Sequence, residues 1–151
     1  MRKMTEHEEA SIRCALRILE ECMRYNEITM NSPQDVANYL KMRFAGLEHE
    51  EFHIMFLNAQ NRVIETDAMF RGTLTQTSVY PREVVKRALE LNANAVILAH
   101  NHPSGTVDPS RADEFLTKTL KDALALVDVK ILDHVVVAGS RHTSFAERGL
   151  L

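Results

Sequence analysis

Five apolar residues in succession, AVILA at positions 95–99, run straight into the polar loop HNHPSGTVDPSRAD, residues 100–113. A strand with one face in water alternates apolar and polar side chains. An unbroken apolar run therefore calls for a strand covered on both faces. Covering both faces of a sheet takes helices on either side of it, and such sheets place ligands beyond the carboxyl ends of their strands. The histidine loop leaves the run from that end.

The rest of the chain supplies the layers. Thr5 and Glu8 form a T-x-x-E capping box, and Ile12, Ala15, Leu16, Leu19 and Met23 follow at helical spacing. The pattern fades before Asn31, Ser32 and Pro33, so residues 1–28 are expected to be an appended helix and residues 29–151 the main domain. Ser32 is placed to cap a second helix through Val36, Tyr39 and Leu40, with Gly46 beyond its end. FHIMFLN (52–58) and RVIETDAMF (62–70) read as a hairpin, with Glu50 on the face of Phe52, Ile54 and Phe56 and His53 on the opposite one. A short extended piece is expected near Thr77 to Tyr80, then a helix opening at Pro81 with Val84, Val85, Ala88 and Leu91 on its apolar side. Leu116, Leu120, Ala123, Leu124 and Val127 mark a further helix, VKILDHVVVAG (129–139) a further strand, and TSFAERG (143–149) an edge strand. Helices and strands alternate around one hairpin, which predicts an α/β (α+β) fold with a mixed sheet flanked by helices.

Composition narrows the function. With 45% hydrophobic and 26% charged residues, the 151-residue chain can bury a core of one domain. A formal net charge of -3 gives no basic footprint for duplex DNA, so strong nucleic-acid binding is not expected. Cys14 and Cys22 are too far apart along one helix to bridge and read as reduced apolar filler. That points to a reducing, cytoplasmic setting. The N-terminal MRKMTEHEEASIRC has no apolar core of a signal peptide, and AVILA is too short to span a membrane.

In extended backbone, residues two apart point to the same side, so His100 and His102 can aim at one point while Asn101 faces away. Pro103, Ser104 and Gly105 turn the chain, and Asp113 falls in the first turns of the next helix. Two imidazoles and a carboxylate make a three-ligand set for Zn²⁺ with an open fourth position, the pattern of a catalytic site. There is a plainer alternative. Asp113 stands three residues after Ser110 and suits a capping box, and the histidines can simply end a strand. Asp133-His134, inside a strand, reads as a buried hydrogen-bonded pair.

His-x-His, ten residues, then Asp, with Ser three positions before the Asp, resembles the JAMM (MPN+) metalloproteases. The wider text, GLEHEEF, GTLTQTSVYPREVVKRALELNANAVILAHNHPSG, PSRAD, DHVVVAG and SFAERGLL, looks like the RadC family, particularly its short members. The resemblance covers about residues 29 to 151. It implies a JAMM fold, similar to cytidine deaminases, with a curved mixed sheet between helices. It implies Zn²⁺ held by His100, His102 and Asp113, and an upstream glutamate that activates the zinc water. Glu48, Glu50 and Glu51 compete for that role; the strand register favours Glu50, with Glu51 next. Ser110 resembles the serine that steadies the tetrahedral oxyanion in this superfamily, a role compatible with an N-cap. Long RadC proteins carry a helix-hairpin-helix region that this sequence does not contain.

The expected activity is a zinc-dependent hydrolase, a metallopeptidase or isopeptidase acting on a peptide or protein substrate. A non-catalytic, metal-stabilised module that binds a protein partner or DNA is the rival. A zinc deaminase would need H-x-E with P-C-x-x-C, and neither occurs. An HNH nuclease is suggested only by the letters of residues 100–102.

Overall fold

A computed structural model describes residues 3–25, 30, 32–72 and 78–151. Its elements in chain order are α1 (Glu6–Arg24), α2 (Pro33–Arg43), β1 (Glu51–Leu57), β2 (Val63–Arg71), α3 (Pro81–Glu90), β3 (Ala95–Asn101), α4 (Arg111–Ala125), β4 (Lys130–Ala138), β5 (Arg141–Ser144) and α5 (Phe145–Arg148). Among the described residues the strands form one sheet in the order β2-β1-β3-β4-β5. Only β3 and β4 run parallel; the other neighbours are antiparallel. The fold is the mixed α/β sheet flanked by helices that the sequence predicts.

Every residue of β3 is buried, as its apolar run demands. On one face of the sheet, Phe52, Ile54, Phe56, Val96 and Leu98 pack with Val84 and Ala88 of α3 and Leu120 and Leu124 of α4. On the other, Met55, Leu57, Ile97, Ala99, Val135 and Val137 pack with Met23 of α1 and with Val36, Tyr39, Leu40 and Phe44 of α2 and its C-cap. The helices begin where the caps direct. Thr5 and Ser32 each close a capping box, with Glu8 and Asp35, and Pro33 and Pro81 occupy first-turn positions where no N–H is missed. Gly46, at φ +78, takes a left-handed turn after α2, and a Cβ there would run into Met4 Cε.

Several expectations are corrected. TSFAERG is not one edge strand, because β5 ends at Ser144 and α5 begins at Phe145. The Ser144 hydroxyl accepts from the Glu147 N–H as an N-cap, and Gly149 at φ 68 stops the turn. His53 does not face away from a core. It is 2% exposed and meets the Phe44 ring edge-on, because α1 and α2 cover the second face of β1 as well. Ser78–Tyr80 belong to neither helix nor strand, and Thr77 lies outside the described residues, as does most of the span between Gly72 and Tyr80. Cys14 is exposed rather than core filler, and neither cysteine is in a disulfide.

Candidate metal centre

The site forms where β3 ends and α4 begins. His100 pairs with Phe52 across the β1–β3 ladder and so faces the α3/α4 layer. It is 1% exposed and lies parallel to the Phe52 ring, with centroids 6.1 Å apart. His102 follows the strand, and its backbone N–H donates to the Val137 carbonyl at 2.8 Å, which carries the parallel ladder past the end of β3. Its Nδ1 lies 2.7 Å from the Thr106 carbonyl oxygen. A carbonyl only accepts, so Nδ1 carries the proton and a neutral His102 has its lone pair on Nε2. Asp113 enters from the first turn of α4, where the capping box with Ser110 holds it.

His100, His102 and Asp113 converge as the sequence spacing suggests. Nε2 of His100 and Nε2 of His102 are 2.9 Å apart. Asp113 Oδ1 lies 3.3 Å from the first nitrogen, and Oδ2 lies 3.6 Å from the second. A tetrahedral zinc with bonds of about 2.0–2.1 Å separates its ligand atoms by roughly 3.3 Å. The observed separations lie near that value, with the two Asp113 contacts made by different oxygens, so the donor set is of a size that could hold a metal ion. Among the described residues this is the one group of its kind able to hold a metal.

The electrostatics favour positive charge at this point. The Asp113 carboxylate, as hydrogen-bond acceptor, raises the His102 pKa against burial, and the Thr106 carbonyl and the nearby Glu50 carboxylate reinforce it. Burial pushes the Asp113 carboxyl up, but the close imidazoles of His100 and His102 and the hydrogen bonds from Ser110 outweigh it and hold the group well below the usual carboxylate range. The capping box leaves one oxygen of Asp113 for the cluster: Oδ2 accepts from the Ser110 N–H and hydroxyl, both at 2.7 Å, while Oδ1 lies 3.3 Å from His100 Nε2.

The structure separates the acidic trio. Glu48 is exposed and pairs with Lys3 at 2.9 Å. Glu51 is held on the face away from His100, one oxygen on His49 Nε2 and the other on His53 Nε2, both at 2.7 Å. Its backbone N–H donates to the Asn101 side chain at 2.8 Å, and the Asn101 amide donates to the His49 carbonyl at 2.9 Å, so Asn101 ties the entry of β1 to the end of β3. Glu50, one residue earlier, is half-buried at the entrance to β1, and its charge acts on His102. The Ser110 hydroxyl accepts from the Asp113 N–H at 3.1 Å and spends its own hydrogen on the Asp113 carboxylate.

Asp133 and His134 are hydrogen-bonded, but through the His134 backbone N–H, which donates to Asp133 Oδ1 at 2.7 Å; their side chains face opposite ways, as consecutive strand residues do. The Asp133 carboxylate accepts from the Ser144 hydroxyl at 2.6 Å and the Ala146 N–H at 2.9 Å. His134, fully buried, points to the histidine site, with Nε2 2.8 Å from His100 Nδ1 and Nδ1 2.6 Å from Thr117 Oγ1. Burial drives its pKa well below that of a free imidazole, so it is neutral. Thr117 was passed over in the sequence, although it stands four residues after Asp113 on the same helix face. A cavity of about 280 Å³ beside His102 is lined by Lys41, Leu47, Asn101, Pro103 and Arg141 among others. A larger one, about 600 Å³, opens on the α2 side of the sheet and touches none of the three ligands.

No helix among the described residues is long and apolar enough to cross a membrane. The RadC-like JAB domain family matches residues 30–150. A UPF0758 protein of Leptothrix cholodnii is 64% identical over 121 residues, covering 80% of this chain and 54% of that protein. A UPF0758 protein of Acidovorax sp. is 58% identical over 142 residues, 94% of this chain and 59% of that protein, and one of Nitrosomonas eutropha is 57% identical over 143 residues, 95% of this chain and 63% of that protein. The chain thus spans between half and two thirds of the length of these relatives. JAB domains are related to a metalloprotease superfamily and depend on metal in general, which agrees with a His-His-Asp cluster, His100 buried and the other two half-buried, that could hold a metal ion. With the family match over nearly the whole chain and the close relatives alongside it, the chain belongs to the RadC family and carries a RadC-like JAB domain.

Proposed function

We propose that this domain, residues 29–151 with a helical extension before it, is a zinc-dependent hydrolase of JAMM type that cleaves a peptide or isopeptide bond in a cytoplasmic protein substrate. One observation carries the proposal: two imidazole nitrogens lie 2.9 Å apart, and the two oxygens of one carboxylate lie 3.3 and 3.6 Å from them, a cluster that could hold a metal ion. His100, His102 and Asp113 are the ligands. Zinc, when bound, supplies Lewis acidity that polarises a carbonyl and makes water acidic near neutral pH.

Glu50 is the proton shuttle. It takes a proton from the attacking water and returns it to the leaving amine. Its charge reaches His102, while Glu51 has both oxygens committed on the other face, and this supports the assignment of the base to Glu50. Ser110 steadies the developing oxyanion, for which its hydroxyl turns from Asp113 towards the substrate. The acidic net charge supports a protein substrate over nucleic acid.

Elemental analysis after native purification, paired with cleavage of peptide and isopeptide libraries, tests the proposal. Stoichiometric zinc with metal-dependent cleavage is expected. Zinc without cleavage of any library points to the metal-stabilised binding module. Absence of zinc in wild type removes the site.

A further inference from the structure

Thr117 Oγ1 has two partners: the Asp113 carbonyl oxygen at 2.7 Å and His134 Nδ1 at 2.6 Å. His134 Nε2 in turn lies 2.8 Å from His100 Nδ1. The direction of every hydrogen bond in this line follows from its first member. The carbonyl only accepts, so the single hydroxyl hydrogen of Thr117 goes to it, and Thr117 accepts from His134 Nδ1–H. His134 is 0% exposed and lies against the Phe145 and Phe52 rings, where a second proton and its charge would be costly to bury, so its Nε2 is the bare nitrogen and accepts from His100 Nδ1–H. His100 is left with a lone pair on Nε2, aimed at Asp113 and His102.

We propose that Thr117 and His134 are positioning residues that hold His100 as its Nδ1–H tautomer and so present the Nε2 lone pair to the cation. The proposal rests on the metal reading above. It explains why polar side chains occupy these positions. His134 packs against Phe145, with ring centroids 4.5 Å apart, and edge-on against Phe52. Thr117 is 2% exposed. An apolar residue would fill either place without the cost of burying polar atoms. Reversal of the line would put a proton on His100 Nε2 and remove a ligand. Because Thr117 donates to the backbone of Asp113, one helical turn also registers the third ligand with the first.

The test uses two readouts on the full chain. Imidazole ¹⁵N–¹H long-range NMR spectra of chelator-treated wild type at mildly alkaline pH report which nitrogen carries each proton. His100 and His134 should both be protonated on Nδ1. Competition with a chromophoric chelator then gives zinc affinity for wild type, Thr117→Val and Thr117→Ser. Thr117→Val keeps the shape but lets His134 reverse, and should weaken zinc binding about 10–100-fold. Thr117→Ser keeps the hydroxyl and should restore wild-type affinity, which a packing role would not do.

A wild-type His100 protonated on Nε2 overturns the proposal, as does Thr117→Val with wild-type affinity; in the second case the zinc site itself stands. Should wild type bind no zinc, the metal reading falls, while the wild-type tautomers still decide the relay. If Thr117→Val does not fold, His134→Phe takes its place. It keeps the ring between Phe52 and Phe145 but accepts nothing from His100, and an unchanged zinc affinity there overturns the proposal too.

Discussion

The carboxylate of Glu51 accepts from Nε2 of His53 at 2.7 Å, on the face of the sheet that α1 and α2 cover. The proton of His53 sits on Nε2 because Nδ1 receives the Arg43 guanidinium at 3.4 Å. Arg43 also pairs with Glu20 of α1. Glu51 is thereby part of a charged network that joins β1 to both helices of that layer, whereas the charge of its neighbour Glu50 acts on His102.

That division gives opposite expectations for two adjacent glutamates. Glu50→Gln should retain zinc and melting temperature and lose about 10²–10⁴-fold in turnover, the usual worth of a positioned base. Glu51→Gln should lower the melting temperature, because it takes a charge from a half-buried network, and should leave turnover per folded molecule intact. Zinc content, melting temperature and the rate on a library-derived substrate are measured for both. Full activity in Glu50→Gln, with loss in Glu51→Gln, would reverse the assignment.

Zinc stoichiometry should be about one per chain, since three convergent ligands occur once among the described residues. His100→Ala combined with His102→Ala should abolish it. Asp113→Asn should weaken it and also lower the stability of α4, because the same carboxylate accepts from the Ser110 N–H and hydroxyl. Metal analysis by mass spectrometry together with chelator competition checks all three.

The acid limb of stability carries a signature of Glu51. Burial raises its pKa, but the hydrogen bonds from His53 and His49 prevail and hold it below the ordinary value of 4.5. A depressed carboxylate stabilises the folded state fully above its unfolded pKa and loses that contribution as pH falls through the folded one. The melting-temperature gap between wild type and Glu51→Gln should therefore stay constant from neutral pH down to about 5 and close below roughly 4.5. A gap that closes already near pH 6.5 would assign the effect to the histidines instead.

Ser110 has two roles that two substitutions separate. Ser110→Ala removes the N-cap of α4 and should cost about 0.5–2 kcal/mol in chemical denaturation. Ser110→Asn restores a good cap without a hydroxyl, so stability should return. If turnover stays low in Ser110→Asn at full zinc content, the hydroxyl acts on the substrate; if turnover returns, Ser110 is a cap alone.

The sequence by itself determined the layers and the His-His-Asp cluster. The apolar run of β3 required cover on both faces, the caps at Thr5, Ser32 and Ser110 marked helix starts, and His-x-His at a strand end with an aspartate in the next helix brought three candidate ligands together. These are short-range consequences of period, capping and chain direction, so they are written in neighbouring residues. Only the tertiary structure decided which side of the sheet each polar residue serves. His53 stands opposite the face of Phe52 and Ile54 in the sequence pattern, and only the packing of α1 and α2 makes that second face a core as well. Asp133 and His134 keep a hydrogen bond through the His134 N–H, while the strand pleat sends one side chain to the Ser144 cap and the other to His100. Thr117 acquired its part only because α4 packs against β4 beside β3. Such contacts join residues far apart in the chain, and the hydrogen-bond direction they impose depends on which acceptor each donor finally meets.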